Sequence, residues 1–165
     1  MEIVLIVAVD EKWAIGIDGD QPAFIGGDLK RFKQLTTGHA IVMGRKTFDA
    51  LPKGALPNRR NIVMTREKEL LLPGCEMAHS VDEVVKLCRN EEKLFVIGGG
   101  QIYKEFMPKA DSLLLTKIHQ TFAYADTWFP KIDPDQWISK DIGESLLDEK
   151  SGLEYHYETL ERKRH

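Results

Sequence analysis

Short apolar runs alternate with segments of helical spacing along most of the chain. Runs rich in Ile, Val and Leu fall at 3–9, 40–43, 61–65, 94–97 and 113–118. They are continuous rather than alternating, which is how strands covered on both faces read. Helical patterns lie between them at 28–36, 46–51, 80–89 and 101–107. The first places Leu29, Phe32 and Leu35 on one face, the second stops before Pro52 and the fourth before Pro108. The third opens on Ser80-Val81-Asp82-Glu83, a capping box. Strict alternation of strand and helix predicts an α/β sheet with right-handed parallel crossovers. The last third differs: runs at 137–142 and 153–160 flank a polar turn region at 143–152. The second run alternates, with Leu153, Tyr155, Tyr157 and Thr159 on one face, which predicts an antiparallel hairpin. The expected fold is a mostly parallel twisted central sheet with flanking helices and a C-terminal antiparallel hairpin. It forms a single domain over 1–165, with no linker, repeat or low-complexity tract.

Composition narrows the function classes without naming one. The chain has 165 residues, 42% hydrophobic and 30% charged, as a soluble globular domain does. With 23 basic and 26 acidic residues the net charge is −3, which argues against a nucleic-acid surface. The opening apolar run is too short to span a bilayer and lacks a basic start and a cleavage signal. No membrane association is expected, and the mature protein is expected to start near Met1. Cys75 and Cys88 read as reduced thiols of a cytoplasmic protein. His39, His119, His156 and His165 show no metal spacing, and size and composition are compatible with a monomer. Trp13, Trp128 and Trp137 read as packing residues.

Chemistry concentrates where strands end. Leu94-Phe95-Val96-Ile97-Gly98-Gly99-Gly100-Gln101-Ile102-Tyr103 runs from a buried strand through three glycines into a helix. Such a turn lets a ligand approach the backbone, and the free N–H groups of the helix start suit a phosphate. It has neither the G-x-G-x-x-G spacing nor a P-loop lysine, and a tight turn without a ligand fits as well. Val42-Met43-Gly44-Arg45-Lys46-Thr47-Phe48 repeats the theme, with two cations at a helix start. Cations there oppose the macrodipole unless an anion is present, although solvated surface charge is the alternative. Thr65-Arg66 follows another strand, and Arg59-Arg60 precedes it, where one arginine would suit a carboxylate. Asp28 opens a helix one turn before Phe32, so the acid shares a face with an aromatic residue. Desolvation there would raise its pKa and suit proton transfer, while acids are also common in first turns for structural reasons.

Taken together, these residues resemble the dihydrofolate reductase family over nearly the whole chain. The markers are Ala14-Ile15-Gly16, Asp28-Leu29-Lys30-Arg31-Phe32, Met43-Gly44-Arg45-Lys46-Thr47-Phe48 and Leu56-Pro57-Asn58-Arg59-Arg60-Asn61. Val96-Ile97-Gly98-Gly99-Gly100-Gln101-Ile102-Tyr103, Leu115-Thr116-Lys117-Ile118 and Asp126-Thr127-Trp128-Phe129-Pro130 complete the series. The resemblance implies NADPH-dependent reduction of 7,8-dihydrofolate to tetrahydrofolate for one-carbon metabolism and thymidylate synthesis. It also implies binding of antifolates such as methotrexate or trimethoprim. By position, Asp28 would bind the pterin and favour protonation at N5, with hydride arriving at C6. Thr116 would support that acid, Ile6, Ala8, Phe32 and Ile97 would form walls, and Arg59 would take the glutamate-tail carboxylate. Cofactor positions would be Ala8, Ile15, Gly16, Gly44, Arg45, Lys46, Thr47, Thr65, Arg66, Ile97, Gly98, Gly99, Gly100, Gln101, Ile102 and Tyr103. Arg45 and Arg66 are the candidates for the 2′-phosphate, with His79 nearby in the pattern.

The stretch Gln21-Pro22-Ala23-Phe24-Ile25-Gly26-Gly27 departs from the family pattern. Ala23 stands where a tryptophan is usual, so the pocket is expected to be wetter or to be filled by Phe24. Gly26 and Gly27 are expected to loosen the helix entry and to permit gating by this loop. A reductase of related fold acting on a pyrimidine or another pterin, and a non-catalytic nucleotide-binding module, are the competing readings.

Overall fold

The computed structural model describes residues 1–16, 23 and 25–164. The strands are β1 Glu2–Val9, β2 Ala14–Gly16, β3 Ala40–Gly44, β4 Arg60–Met64, β5 Cys75–Ala78 and β6 Lys93–Val96. They continue with β7 Ser112–Ile118, β8 Thr127–Trp128, β9 Trp137–Ile142, β10 Leu146–Leu147 and β11 Glu154–Arg162. The helices are α1 Gly26–Thr36, α2 Arg45–Ala50, α3 Val81–Leu87 and α4 Gly100–Phe106, and a 3-10 turn Met107–Lys109 follows α4.

Nine strands form one sheet in the order β10-β11-β7-β1-β6-β3-β4-β5, with β9 also paired to β11. The pairs from β7 through β1, β6, β3 and β4 to β5 are parallel. The long strand β11 runs antiparallel to β7, and β9 runs antiparallel to β11, as the alternating C-terminal pattern predicts. Side chains alternate across the sheet. Leu5, Val7 and Val9 enter a core covered by α3 and α4, whereas Val4 and Ile6 enter one covered by α1 and α2. This two-sided cover explains why the central strands read as unbroken apolar runs.

The chain leaves β1 for β3, crosses back into β6 between them, and then returns past β1 to β7. Helices α1 and α4 therefore depart to opposite faces of the sheet beside the carboxyl ends of β1 and β6. Such a switch point is where open α/β sheets receive ligands.

Several local expectations need correction. The predicted helix 80–89 is shorter, because Ser80 lies outside it as the cap whose Oγ accepts from the Glu83 N–H. The reciprocal bond of the box goes to the His79 N–H rather than to that of Ser80. Leu29 is 44% exposed, while Phe32 and Leu35 are packed. A spacing of three residues falls about 60° short of a full turn each time, so a triplet spreads over about 120° and its end member turns outward. Trp137 is buried under the Arg162 guanidinium, but Trp128 is 53% exposed on β8 and is not a core residue. Strands β2, β5, β8 and β10 have no counterpart in the sequence pattern. No helix among the described residues is long and apolar enough to cross a membrane.

Candidate active site

Helix α1 carries the acid. Asp28 sits in its first turn, and Thr116 on β7 donates a 2.6 Å hydrogen bond to its Oδ1. Thr116 is 2% exposed, so the bond is held by a residue fixed in the central sheet. Burial pushes the Asp28 carboxyl above the ordinary carboxylate range, opposed by the Thr116 hydroxyl and by the charge of Arg31. Desolvation wins, so the acid keeps a greater affinity for a proton than an exposed one has.

Gly26 and Gly27 lie inside the first turn of α1 rather than before it, which changes their reading. A Cβ on Gly27 would come within 2.7 Å of the Tyr155 hydroxyl, so a side chain there would require Tyr155 to shift. Asp148 accepts a hydrogen bond from the Gly26 N–H, which satisfies a helix-start donor with a residue distant in sequence. Ala23 is half-buried; Gln21, Pro22 and Phe24, and with them the expected filling of the pocket by Phe24, lie outside the described residues.

The far end of α1 meets Arg59. Its Nη1 donates to Thr36 Oγ1 at 3.2 Å and its Nε to the Pro57 carbonyl at 2.9 Å. Buried Asn61 shapes the preceding loop: its Oδ1 accepts from Leu56 N–H at 2.9 Å, and its Nδ2 donates to the carbonyls of Leu56 and Arg59. Arg60, the other arginine of the pair, is engaged elsewhere. It bonds both carboxylate oxygens of Glu76, Glu91 and the Leu87 carbonyl, and so ties β4 to β5 and the end of α3. Asp28 and Thr36 are eight residues apart, so the acid and the arginine mark two points about 12 Å apart along one helix. Ile6, Phe32 and Ile97 belong to the apolar cluster on this face. Ala8 packs with Ile25, Ile118 and Tyr155.

The glycine turn lies across the sheet end. Gly98 has φ 123°, in the region that favours glycine, and a Cβ there would sit 3.3 Å from the Tyr103 hydroxyl. The Gly98–Gly99 peptide is cis. The Gly98 carbonyl accepts from Gly44 N–H, which binds this turn to the start of α2. Tyr103 is buried, and its hydroxyl donates to the Ile6 carbonyl at 2.8 Å, locking α4 to β1. Burial and the nearby Asp28 charge raise the pKa of its phenol, which stays neutral. Ile15 and Ile102 join Tyr103 in the core on this side. Gly16 pairs with Thr127 in the small β2-β8 ribbon. The turn into that ribbon is built by buried Asp10, whose carboxylate accepts from the N–H groups of Lys12, Ala14 and Phe122.

The donor chemistry around this turn fits a phosphorylated cofactor. A Cβ on Gly99 would fill the space beside Thr47, 3.6 Å from its hydroxyl, and Lys46 and Gln101 are exposed. The first N–H groups of α4 have no carbonyl one turn back to bond. Arg45 makes exposed ion pairs with Asp49 at 3.1 Å and Glu67 at 3.4 Å, which accounts for a cation at this helix start without an anion. Arg66 is exposed beside Thr65, and His79 Nδ1 lies 2.8 Å from the Thr65 carbonyl. Among the described residues no group of three or more His, Cys, Asp or Glu side chains is placed to hold a metal ion.

Sequence reasoning missed Asn61, Asp10 and the aromatic pair Tyr155–Tyr157. The alternation in β11 put both tyrosines on one face, but only the register, with Tyr157 opposite Thr116, puts them beside Asp28.

The described residues form an α/β fold in which a helix-borne acid bonded to the central sheet and a glycine turn lie near the strand ends. A family model described as Dihydrofolate reductase matches residues 2–162. The chain is 43% identical over 162 residues to a dihydrofolate reductase of Staphylococcus haemolyticus, covering 98% of this chain and 96% of that one. It is 40% identical to one of Bacillus subtilis, covering 98% and 95%. A solved structure of dihydrofolate reductase from Enterococcus faecalis, complexed with NADP(H) and RAB-propyl, superposes with a TM-score of 0.92 at 35% identity. That match covers 99% of this chain and 97% of the other. The chain belongs to the dihydrofolate reductase family.

Proposed function

We propose that this site reduces 7,8-dihydrofolate to 5,6,7,8-tetrahydrofolate, adding hydride at C6 and a proton at N5. As a member of its family the chain is an NADPH-dependent oxidoreductase. The observation that carries the residue roles is the placement of a proton-retaining Asp28 at one end of α1 and Arg59 at the other. The heterocycle lies against Asp28, which binds its polar edge and favours the proton at N5. Thr116 holds the carboxyl in one orientation, so no reorganisation is needed when the charge changes. Ile6, Ala8, Phe32 and Ile97 wall the ring in, and Arg59 grips the tail carboxylate. NADPH, when bound, would supply the hydride. The turn Gly98, Gly99 and Gly100, with Gln101, Gly44, Lys46, Thr47 and Thr65, would hold its phosphates, and Ile15, Gly16, Ile102 and Tyr103 would border its nicotinamide. Arg45 and Arg66 would take the 2′-phosphate. The chain acts as one domain, a monomer of the cytoplasm, and binds antifolates of the methotrexate or trimethoprim type.

Mixing the protein with NADPH and dihydrofolate and following nicotinamide absorbance tests the reading; no fall in absorbance overturns it. Replacing Arg45 and Arg66 together by Ala is expected to raise KM for NADPH about 10–100-fold, the scale of lost charged hydrogen bonds. KM for NADH should scarcely move. Arg45 can turn to a phosphate at little cost, because its exposed pairs with Asp49 and Glu67 are weak. Equal losses with both cofactors would reject the 2′-phosphate role.

A further inference from the structure

Asp28 is flanked by a cation that the reaction as described leaves unused. Arg31 lies three residues further along α1, on the same side of the helix. Its guanidinium carbon is 3.8 Å from the centroid of the Tyr157 ring, a stacked cation–π contact. Tyr157 stands opposite Thr116 in the β11-β7 register, and Thr116 bonds Asp28. The four residues thus lie next to one another across α1, β7 and β11. A stacked arginine holds its charge at one place instead of sweeping through solvent.

We propose that Arg31, clamped on the Tyr157 ring, is a positioning residue that fixes the charge balance at Asp28 and so sets the upper pH limit of the reaction. The inference rests on the reading of Asp28 as the acid for N5. Among the described residues, the titratable and polar groups about Asp28 are Thr116 on β7, Tyr155 and Tyr157 on β11, Tyr103 on α4 and Arg31 on its own helix. The phenol of Tyr157 is pushed up to about 12, chiefly by burial and then by the Asp28 charge. It stays neutral throughout the working range, shares a hydrogen bond with Tyr155 and carries the guanidinium on its ring. Tyr103 is committed to the Ile6 carbonyl, and the Tyr155 hydroxyl sits beside Gly27. Arg31 contributes a full positive charge that opposes the effect of burial on the carboxyl.

The test has two readouts: the carbon-13 NMR titration of the Asp28 carboxyl in ligand-free protein, and the pH profile of hydride transfer in single turnover. Arg31→Met keeps an unbranched stem of similar helix propensity and removes the charge. It is expected to move both the titration midpoint and the descending limb up by about half a pH unit, the effect of one charge across a few ångströms of wet protein. On the alkaline side this makes hydride transfer about threefold faster than in the unmodified protein. Arg31→Lys should stay closer to the unmodified profile than Arg31→Met. Tyr157→Leu, which frees the guanidinium, should shift in the same direction by less. An Arg31→Met carboxyl titration that superimposes on the unmodified one overturns the proposal, as does a limb that stays put while the carboxyl moves. Asp28→Asn, measured alongside, separates the two readings: if it keeps full turnover at neutral pH, the role of Asp28 falls. If it is inactive and Arg31→Met changes nothing, only the role of Arg31 falls.

Discussion

Asp28→Asn is expected to lower the rate of dihydrofolate reduction at neutral pH by about 10²–10⁴-fold, the range of a lost positioned acid. The amide preserves size and still accepts from Thr116, so the loss isolates the proton. Activity should recover partly in acid, where substrate arrives already protonated, and a pH series of single-turnover hydride transfer reads this directly. Near-normal turnover at pH 7 would remove Asp28 from the mechanism. Stability should move the other way. The folded state raises the Asp28 pKa, so the stabilisation this group contributes is complete below the ordinary carboxylate range. It is lost as pH rises through the folded value. At neutral pH the ionised group burdens the fold, and Asp28→Asn should unfold at a slightly higher temperature than the unmodified chain. Below about pH 4 the difference should vanish.

Arg59→Gln is expected to raise KM for dihydrofolate about 10–100-fold while leaving kcat nearly unchanged. In its proposed role Arg59 would touch the end of the ligand remote from the reacting atoms, so its contribution would be the same in ground and transition states. Burial lowers the pKa of its guanidinium, but an arginine keeps its charge throughout the working range. Steady-state kinetics with dihydrofolate and with a pterin lacking the glutamate tail check the assignment. The tail-less substrate should react equally with both proteins, and a comparable KM increase for it would place Arg59 outside tail recognition.

The central sheet was legible because most positions of its strands are buried, so short apolar runs mark β1, β3, β4, β6 and β7. The strand β5 was not, since Cys75, Glu76 and Met77 are only half-buried and carry no unbroken apolar signal. The pairs β2-β8 and β10-β11 are too short for a pattern to emerge. At the site, residues that act through local sequence were readable: Asp28 in a helix turn, and glycines after a strand. Partners joined by register or long loops were not. No local pattern announces that Thr116 will meet Asp28, which only the family resemblance implied, and nothing announces that Asp148 will cap α1 or that Asn61 will hold the turn before Arg59. Arg60 was equally opaque, because its engagement depends on Glu76 in the strand the pattern did not reveal.

With Asp28 in the first turn of α1 and Arg59 bonded to Thr36 at its end, the helix would work as a calliper on the proposed ligand. Its length is fixed by backbone geometry, so neither jaw can drift without the other registering the change. On the proposed roles, a ligand that seats its heterocycle at Asp28 would bring its carboxylate to Arg59 at a high effective concentration, provided the linker matches the span. A fragment holding either end alone forfeits that gain. Discrimination therefore falls on the distance between two weakly specific groups, a quantity that no single side chain encodes.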